Sequence, residues 1–358
     1  GFISHYKVIT NGVMIDGKSY REVMFVQPRD VSKEAWTGVR MGTVEVESIL
    51  GIEKAVDIAL LDTVLASALK GRDTLYVPTF PTPNVKNPIS RKNVYIDADA
   101  RKSLQDKYPD LYIKSPYSLL SKMREIKDPD ELRMMQKAID ISIEGHLASM
   151  KAAKPGMTEY EIEAVMEYTF KRLGAEDVGY PSIVGSEYNA CILHYVSNRK
   201  TTENKDLVLA DCGAEYQNYT ADITRTFPVS GKYTDEQRKI YNIVLEAQDS
   251  GIVACRAGNG FREPHNRAMA VVQKRLMELE IIKKPEEAKW YFNHGTSHYL
   301  GLDVHDAGSG GNLKVNSVIT VEPGIYIPAG SPCAKKWWNT GVRIEDDVLV
   351  TKNGHEIL

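Results

Sequence analysis

The sequence predicts an α+β fold in which a smaller amino-terminal α/β domain, residues 1–121, precedes a larger domain, residues 122–358. Three observations support this prediction. The 358 residues, 42% of them hydrophobic, exceed what one globular unit normally uses. Strand-like and helical patterns alternate in the first third of the chain. After residue 122, a pair of helical patterns followed by strand patterns occurs twice, which indicates a domain built from two similar halves.

The amino-terminal domain combines short strands with one helix. Residues 6–27 follow a strand-like pattern that is interrupted by a predicted turn at Asn11-Gly12. Residues 51–70 carry apolar side chains at helical spacing, which predicts a helix. The proline-rich stretch 78–88 is typical of a loop.

Helix-start signatures mark the larger domain. Each combines an Asp or Thr cap with a Glu or Gln three residues later. They are Asp128-Pro-Asp-Glu131, Thr158-Glu-Tyr-Glu161 and Thr234-Asp-Glu-Gln237. Gly174 is predicted to end the second helix, and a fourth helix is predicted from about residue 263 to 279. Strands are predicted at residues 207–211, 222–226, 299–304, 318–326 and 342–351.

Composition excludes several classes of protein. The formal net charge is −3 and acidic and basic residues are mixed, which argues against a nucleic-acid partner. No apolar run approaches the roughly 18–20 residues needed to span a bilayer, so no membrane partner is expected. The four cysteines are scattered without a C-x-x-C pair, which indicates reduced thiols and a cytoplasmic location.

Two aspartates frame the strongest local motif. Asp211 ends an apolar strand, a polar turn follows, and Asp222 opens the next strand. In a hairpin the two carboxylates can lie side by side. Such a pair must be protonated, paired or neutralised by cations. The alternative, that both aspartates merely end strands, remains open from this motif alone.

Further polar groups follow in apolar surroundings. His294, His298 and His305 account for three of the chain's eight histidines, and such a cluster indicates a metal or proton-transfer site more than a structural role. Glu322 is predicted at the end of an apolar strand and Glu345 inside another. A buried carboxylate needs a partner, which could be an arginine such as Arg343 or a metal ion.

Together these residues form a candidate metal set of four carboxylates and one imidazole, all at predicted strand positions: Asp211, Asp222, His298, Glu322 and Glu345. An oxygen-rich set suits hard or borderline ions such as Mn²⁺. It can hold two ions if carboxylates bridge them.

With these motifs the chain resembles the proline-specific pita-bread metallopeptidases of family M24B, which comprise Xaa-Pro aminopeptidases and Xaa-Pro dipeptidases. Seven segments in the family's order carry the resemblance, which extends over nearly all of residues 122–358. They are Ile192-Leu-His194-Tyr195, Asp211-Cys-Gly-Ala-Glu-Tyr, Ala221-Asp222-Ile-Thr-Arg-Thr-Phe-Pro-Val, His294-Gly-Thr-Ser-His298, Gly301-Leu-Asp-Val-His305-Asp306, Thr320-Val-Glu322-Pro-Gly-Ile-Tyr326 and Gly341-Val-Arg343-Ile-Glu345-Asp-Asp.

The resemblance implies a role for each metal ligand. Asp211 would bind one ion, Asp222 and Glu345 would bridge two ions, and His298 and Glu322 would complete the second site. The ions would be Mn²⁺, with Zn²⁺ or Co²⁺ as alternatives.

The resemblance also implies the residues around the metals. His194, His294 and His305 would bind substrate, Arg343 would be the active-site arginine, and Tyr180 and Tyr326 would line the pocket.

Residues 26–30 and 36–42 also resemble the amino-terminal domain of Xaa-Pro aminopeptidases. Residues 1–121 are shorter than that domain, which implies that they form an incomplete copy of it. Family members associate with themselves, so a homodimer or homotetramer is expected.

The expected reaction is hydrolysis of the bond between an amino-terminal residue and a following proline. A metal-bridging hydroxide would attack the carbonyl carbon. Glu322 would carry a proton to the leaving nitrogen, and His194 and His305 would donate hydrogen bonds to the carbonyl oxygen. Proline lacks an N–H and has a fixed φ, so a pocket shaped for its ring, walled by His294 and Tyr326, would select peptides with proline second.

Other functions compete with this interpretation. A dipeptidase of the same fold would accept only two-residue substrates. A methionine aminopeptidase is disfavoured by the extra domain and by the Gly301-Leu-Asp-Val-His305 motif. A non-catalytic binding module, or a metal-free creatinase-like enzyme, is disfavoured because all five ligand positions are filled.

Overall fold

The computed structural model describes residues 10–15, 22–77, 85–86, 93–94 and 96–358. The chain separates into two compact units, Gly1–Tyr117 and Ser118–Leu358. The exact domain limits, 1–121 and 122–358, remain a proposal. Among the described residues, no helix has both the length and the apolar character needed to cross a bilayer.

The amino-terminal unit is built on a three-stranded sheet. Strand β2 pairs antiparallel with β1 and parallel with β3. A small core beside this sheet contains Val26, Met41, Val46 and Ala55. The elements of the unit are β1 (Thr10–Ile15), β2 (Glu22–Val26), α1 (Glu34–Thr37), α2 (Thr43–Leu50), β3 (Lys54–Asp57), α3 (Leu61–Ala68), β4 (Thr74–Tyr76), β5 (Val85–Lys86), β6 (Asn93–Val94), α4 (Ile96–Lys107) and β7 (Tyr112–Lys114).

Two local predictions for this unit are wrong. Asn11-Gly12 does not form a turn, because it lies inside β1 where the register with β2 shifts by one residue. The predicted helix at 51–70 begins only at Leu61, since Lys54–Asp57 forms β3. Pairing with β2 buries Ala55 and Val56, and this tertiary contact overrides the local helical pattern. Most of the predicted loop at 78–88 lies outside the described residues.

The first half of the larger unit places two helices against an antiparallel sheet in the order β13-β10-β9. The side chains between them include Ile141, Ile162, Phe170 and Val208. Its elements are α5 (Tyr117–Glu125), α6 (Pro129–Ala152), α7 (Glu159–Arg172), β8 (Asp177–Val178), β9 (Ile183–Ser186), β10 (Leu207–Asp211), β11 (Ala214–Tyr216), β12 (Tyr219–Thr220) and β13 (Thr224–Pro228).

The second half repeats this order of elements. Its helices pack on a core that includes Ile240, Val272, Ile325 and Val342, and its strands form the sheets β14-β17-β18 and β15-β16. The elements are α8 (Asp235–Val253), α9 (Glu263–Glu278), β14 (Val318–Val321), β15 (Gly324–Ile327), β16 (Thr340–Arg343), β17 (Asp346–Thr351) and β18 (Gly354–Ile357). The predicted repetition of two helices followed by strands is therefore present.

The predicted helix starts are confirmed. The Asp128 carboxylate accepts hydrogen bonds from the backbone N–H groups of Asp130 and Glu131, and the Glu131 carboxylate accepts one from Asp128 N–H. A reciprocal capping box also begins α8, and at the start of α7 the Glu161 carboxylate accepts hydrogen bonds from the N–H and the hydroxyl of Thr158. Gly174 has φ of +100° and follows the end of α7, as its freedom to adopt a positive φ predicts.

Several strand predictions are wrong in detail. Residues 299–304 bend, and Tyr299 makes only isolated bridges to Asp306 and Ile319. The stretch predicted at 318–326 breaks into β14 and β15, and the stretch at 342–351 breaks into β16 and β17. Glu345 therefore lies between strands and not within one.

Close packing between α6 and α7 yields a test of this architecture. A Cβ atom on Gly145 would lie 2.2 Å from Cε1 of the buried Phe170 ring. We expect Gly145→Ala to lower the free energy of unfolding by about 1–3 kcal/mol, because the helices cannot separate without loosening their core. Urea unfolding followed by circular dichroism measures this. The exposed neighbour variant Glu144→Ala is the control, and equal stability of the two variants would contradict the packing described.

Candidate active site

The five candidate metal ligands lie at strand ends or in the adjoining loops, which converge on one region of the larger unit. Asp211 is the last residue of β10, Asp222 lies two residues before β13, Glu322 directly follows β14 and Glu345 directly precedes β17. His298 lies before β14, where its N–H donates to Thr320 Oγ1 and its carbonyl accepts from Thr320 N–H. Only Asp211 is within a strand, so the expectation that all five occupy strand positions is wrong.

Antiparallel pairing brings the two aspartates together. Asp211 pairs with Thr224, and the connecting residues fold back as the short hairpin β11-β12. The Tyr180 hydroxyl oxygen lies 2.7 Å from Asp211 Oδ1 and 2.6 Å from Asp222 Oδ1. A hydroxyl donates one hydrogen bond, so Tyr180 links two carboxyl groups that compete for the same proton.

Strand β13 also joins the two halves of the domain at Glu345. Glu345 N–H donates to the Thr224 carbonyl, and the Thr224 hydroxyl donates to Glu345 Oε2 at 2.6 Å. The guanidinium of Arg343 donates to Thr224 Oγ1, to the Tyr326 hydroxyl and to Asp211 Oδ2. Arg343 therefore pairs with Asp211 and not directly with Glu345.

Ligand atoms of Asp222, His298 and Glu345 lie within 4.8 Å of one another. His298 Nε2 is 3.3 Å from Asp222 Oδ2 and 3.7 Å from Glu322 Oε1. Its Nδ1 is 3.1 Å from the Tyr299 carbonyl oxygen. A hydrogen bond from Nδ1–H to that carbonyl directs Nε2 toward the carboxylates, as a metal-binding imidazole requires.

Burial and mutual repulsion strongly perturb these acids. Burial raises the pKa of Glu322 to about 7. Burial and neighbouring carboxylates also raise the pKa of Asp222, and raise that of Glu345 well above its ordinary value. Burial alone would lower the pKa of His298, but its hydrogen bond with Asp222 and the charges of Asp222 and Glu322 raise it to about 9.

The donor set fits divalent metal ions. The four carboxylates carry four negative charges when ionised, whereas the buried Arg343 supplies one positive charge. Three negative charges are thus left without a permanent cation in a water-poor site, where unpaired charge is strongly unfavourable. Two divalent ions would offset them, and carboxylate oxygens with one imidazole are the donors that hard or borderline ions prefer.

A cavity of about 520 Å³ opens onto these ligands. All five candidate metal ligands line it, together with the predicted residues Tyr180, His194, His294, His305 and Arg343. Tyr326 is placed differently. Its side chain is 3% exposed and lies behind the wall, with its hydroxyl oxygen 2.9 Å from His294 Nε2 and 2.9 Å from Arg343 Nη1.

The histidines around the cavity differ in environment. Burial and the nearby charge of Arg343 lower the pKa of His294 to about 4, and burial and the charge of His298 lower that of His305. The His298 and His305 rings meet edge to face with centroids 4.4 Å apart. His305 and His194 are both exposed, so both can contact a ligand in the cavity.

Some neighbours of the site were not predicted. Thr224 bonds Glu345 and Arg343, and Asp347 Oδ2 accepts from Asp222 N–H at 3.0 Å. The alternation of Asp222, Thr224 and Thr226 along one strand could have indicated Thr224. The apolar lining residues Leu193, Val196 and Val304 carried no such signal, because they look like ordinary core residues in the sequence.

Comparison with known proteins identifies the family. Residues 133–352 match metallopeptidase family M24, and residues 8–76 match the aminopeptidase P N-terminal domain. The Xaa-Pro aminopeptidase of Haemophilus influenzae is 37% identical over 94% of this chain and 78% of its own length. That of Escherichia coli is 34% identical over 96% and 80%.

Solved structures agree with this relationship. A variant of Escherichia coli aminopeptidase P in complex with substrate has a TM-score of 0.83 and 33% identity, covering 94% of this chain and 79% of that one. Pseudomonas aeruginosa aminopeptidase PepP has a TM-score of 0.84 and 35% identity, covering 96% and 80%. The predicted resemblance and the α+β pita-bread fold with an additional amino-terminal domain are confirmed. The chain belongs to metallopeptidase family M24 and is a hydrolase of the metallo-aminopeptidase class.

Proposed function

We propose that this enzyme removes the amino-terminal residue from peptides whose second residue is proline, using two divalent metal ions. The observation that carries the proposal is that five candidate metal-ligand side chains, from separate strand ends and loops, line the same cavity. Relatives 34–37% identical to this chain are Xaa-Pro aminopeptidases, which supports the choice of substrate.

The two ions would be held by Asp211, Asp222, His298, Glu322 and Glu345, which all line the cavity. Bound divalent ions supply Lewis acidity, which lowers the pKa of an attacking water and stabilises negative charge on a carbonyl oxygen. The predominance of carboxylate donors favours Mn²⁺, with Zn²⁺ or Co²⁺ as alternatives.

Glu322 is proposed as the proton carrier. Its side chain lines the cavity beside the other candidate metal ligands, so its carboxylate can reach both a water molecule and a peptide bound there. The carboxylate can therefore take a proton from water and deliver it to the proline nitrogen as the peptide bond breaks.

His194 and His305 are proposed to bind the carbonyl group that is attacked. Both line the cavity, and a ring N–H from either can donate to the carbonyl oxygen as it becomes negative. Arg343 is proposed to hold Asp211 in place through its buried ion pair and so to keep the carboxylate cluster ordered.

The proline ring is proposed to contact His294. Tyr326 lies behind the wall and bonds His294 Nε2, so it would orient the imidazole and not touch the ring itself. Tyr180 lines the cavity beside Asp211 and Asp222. The apolar residues Leu193, Val196 and Val304 would contact side chains of the peptide.

A dipeptidase restricted to Xaa-Pro dipeptides is the alternative. The named aminopeptidase relatives and the matching amino-terminal domain favour the aminopeptidase. We also propose a cytoplasmic enzyme that forms homodimers or homotetramers. Light scattering of the purified protein would measure the assembly, and a monomer would contradict that part.

The first prediction concerns substrate length. With Mn²⁺ added, an Xaa-Pro-Xaa tripeptide should be cleaved after its first residue, and the same peptide with alanine in place of proline should be cleaved far more slowly. Chelation of metal should abolish turnover, and restored Mn²⁺ should recover it. Chromatographic product analysis measures this. Cleavage of the Xaa-Pro dipeptide alone would instead favour the dipeptidase.

The second prediction concerns the proton carrier. Glu322→Gln keeps the shape of the side chain but cannot carry the proton, so kcat/KM for the tripeptide should fall about 100-fold or more. Exposed Glu286→Gln is the matched control and should behave like the unmodified enzyme. Metal content is measured in parallel, because loss of ions would lower activity by another route. Near-normal turnover of Glu322→Gln would refute the assigned role.

The third prediction concerns metal-free stability against pH. Glu322, Glu345 and His298 hold protons to higher pH in the folded than in the unfolded protein. Folding of the metal-free protein should therefore weaken as the pH rises from 7 to 8.5, by about 1–2 kcal/mol. The histidines with lowered pKa values titrate mostly below this range. Urea unfolding at each pH measures the change.

Mn²⁺ should cancel this pH dependence, because metal ions bind the deprotonated ligands and release protons. His298→Gln should show a smaller decline than the unmodified metal-free protein. A metal-free protein whose stability rises between pH 7 and 8.5 would contradict the electrostatics described for the site.

A further inference from the structure

We propose that Glu159 is a positioning residue for His194. Its buried carboxylate binds both ends of the segment 186–200, which carries His194 to the cavity. The inference rests on the proposed function, in which His194 binds the carbonyl group of the substrate, and it adds a residue that lies outside the cavity.

The segment that carries His194 has little regular structure of its own. A 3-10 turn at Glu187–Cys191 is followed by residues 192–200, which form neither helix nor strand. Within the described part of the chain, the His194 ring makes no hydrogen bond to protein. The position of the imidazole therefore depends on how the backbone on either side of it is held.

Glu159 holds that backbone on both sides. It is the first residue of α7 and is 0% exposed. Its carboxylate accepts hydrogen bonds from five donor groups, all in residues 186–200. The donors are Ser186 N–H at 2.6 Å, Ser186 Oγ at 2.7 Å, Asn189 Nδ2 at 3.1 Å, Tyr195 Oη at 2.9 Å and Lys200 N–H at 2.9 Å.

Because Glu159 is buried, its carboxylate in turn depends on the hydrogen-bond donors of residues 186–200. No lysine, arginine or histidine among the described residues lies within ion-pair distance of Glu159, so neutral donors of the segment and the amino-terminal end of α7 stabilise its charge. The Glu159 N–H in turn donates to the Lys200 carbonyl at 2.9 Å. Displacing the segment would leave a buried carboxylate without donors, which is strongly unfavourable.

Tyr195 is the link nearest to His194. The two residues are adjacent, yet His194 lines the cavity while the Tyr195 hydroxyl donates to Glu159 and accepts from Arg199 N–H at 3.2 Å. The hydroxyl thus ties the residue after His194 to the buried carboxylate.

Strained backbone at both ends indicates that the segment is held in a specific conformation. Glu187 has φ of 53° and Asn198 has φ of 49°, values that are uncommon for residues other than glycine and persist only where surrounding contacts impose them. Asn198 is held by its side chain, whose Oδ1 accepts a hydrogen bond from Val184 N–H and whose Nδ2 donates one to the Ser182 carbonyl.

Packing further fixes the 3-10 turn. A Cβ atom on Gly341 of β16 would lie 2.2 Å from the Ala190 carbonyl oxygen. The turn therefore lies directly against the strand that carries Arg343.

A double-mutant cycle tests the proposal. Tyr195→Phe removes one hydroxyl and keeps the ring, so kcat/KM for the Xaa-Pro-Xaa tripeptide should fall about three- to ten-fold, the effect of one hydrogen bond. In a His194→Ala background the same substitution should change kcat/KM less than two-fold, because there is no imidazole left to position. Tyr188→Phe is the matched control. Tyr188 is half exposed and its hydroxyl makes no hydrogen bond among the described residues, so activity should be unchanged.

The outcomes separate positioning from general support of the fold. If Tyr195→Phe lowers kcat/KM equally with and without His194, or does not lower it at all, the proposal is overturned. Glu159→Gln should act in the same direction and more strongly, since its amide presents hydrogens to the same donors. Thermal unfolding and metal content of each variant exclude misfolded protein as the cause.

A second measurement does not depend on the substrate. The ring resonances of His194, identified in NMR spectra as those lost in His194→Ala, should shift or broaden in Tyr195→Phe and remain unchanged in Tyr188→Phe. An enzyme that cleaves no Xaa-Pro peptide would refute the proposed function, and the spectra would still decide the positioning. Unaltered His194 resonances in Tyr195→Phe would overturn it.

Discussion

The concentration of negative charge in one buried place is the constraint on which the rest of this domain depends. Asp211, Asp222 and Glu345 are each less than 9% exposed, and such carboxylates repel one another where water cannot screen them. Arg343, Tyr180 and Thr224 relieve part of this repulsion through direct hydrogen bonds. The remaining excess of negative charge suits the cluster to divalent cations.

Both halves of the domain contribute acids to this cluster. One half contributes the aspartates through β10 and β13, and the other contributes the glutamates at the breaks beside β14 and β17. One backbone hydrogen bond and one side-chain hydrogen bond between Glu345 and Thr224 join them. Because strands supported by helix pairs deform little, these acids can be kept close despite their repulsion.

The histidines lie in loops, so polar contacts of the loops hold them in place of strand pairing. His305 is followed by Asp306, a buried carboxylate that pairs with Arg124 and Lys127. His298 is fixed by its backbone bonds to Thr320, and the segment of His194 is bonded to Glu159. In each case, polar contacts away from the cavity replace the regular hydrogen bonding that a strand would provide.

The sequence by itself determined the helix starts, the repetition of helices and strands, and the identity of the residues that meet at the site. Capping boxes such as Asp128 with Glu131 are local, and motifs such as His294 to His298 combine residue types that only a few chemistries require. Tertiary structure alone decided that Lys54–Asp57 is a strand, that β14 ends before Glu322 and that β17 begins after Glu345. It also decided that Arg343 pairs with Asp211 and that Tyr326 lies behind His294. These depend on contacts between residues far apart in the chain, whose burial and charge no local pattern records.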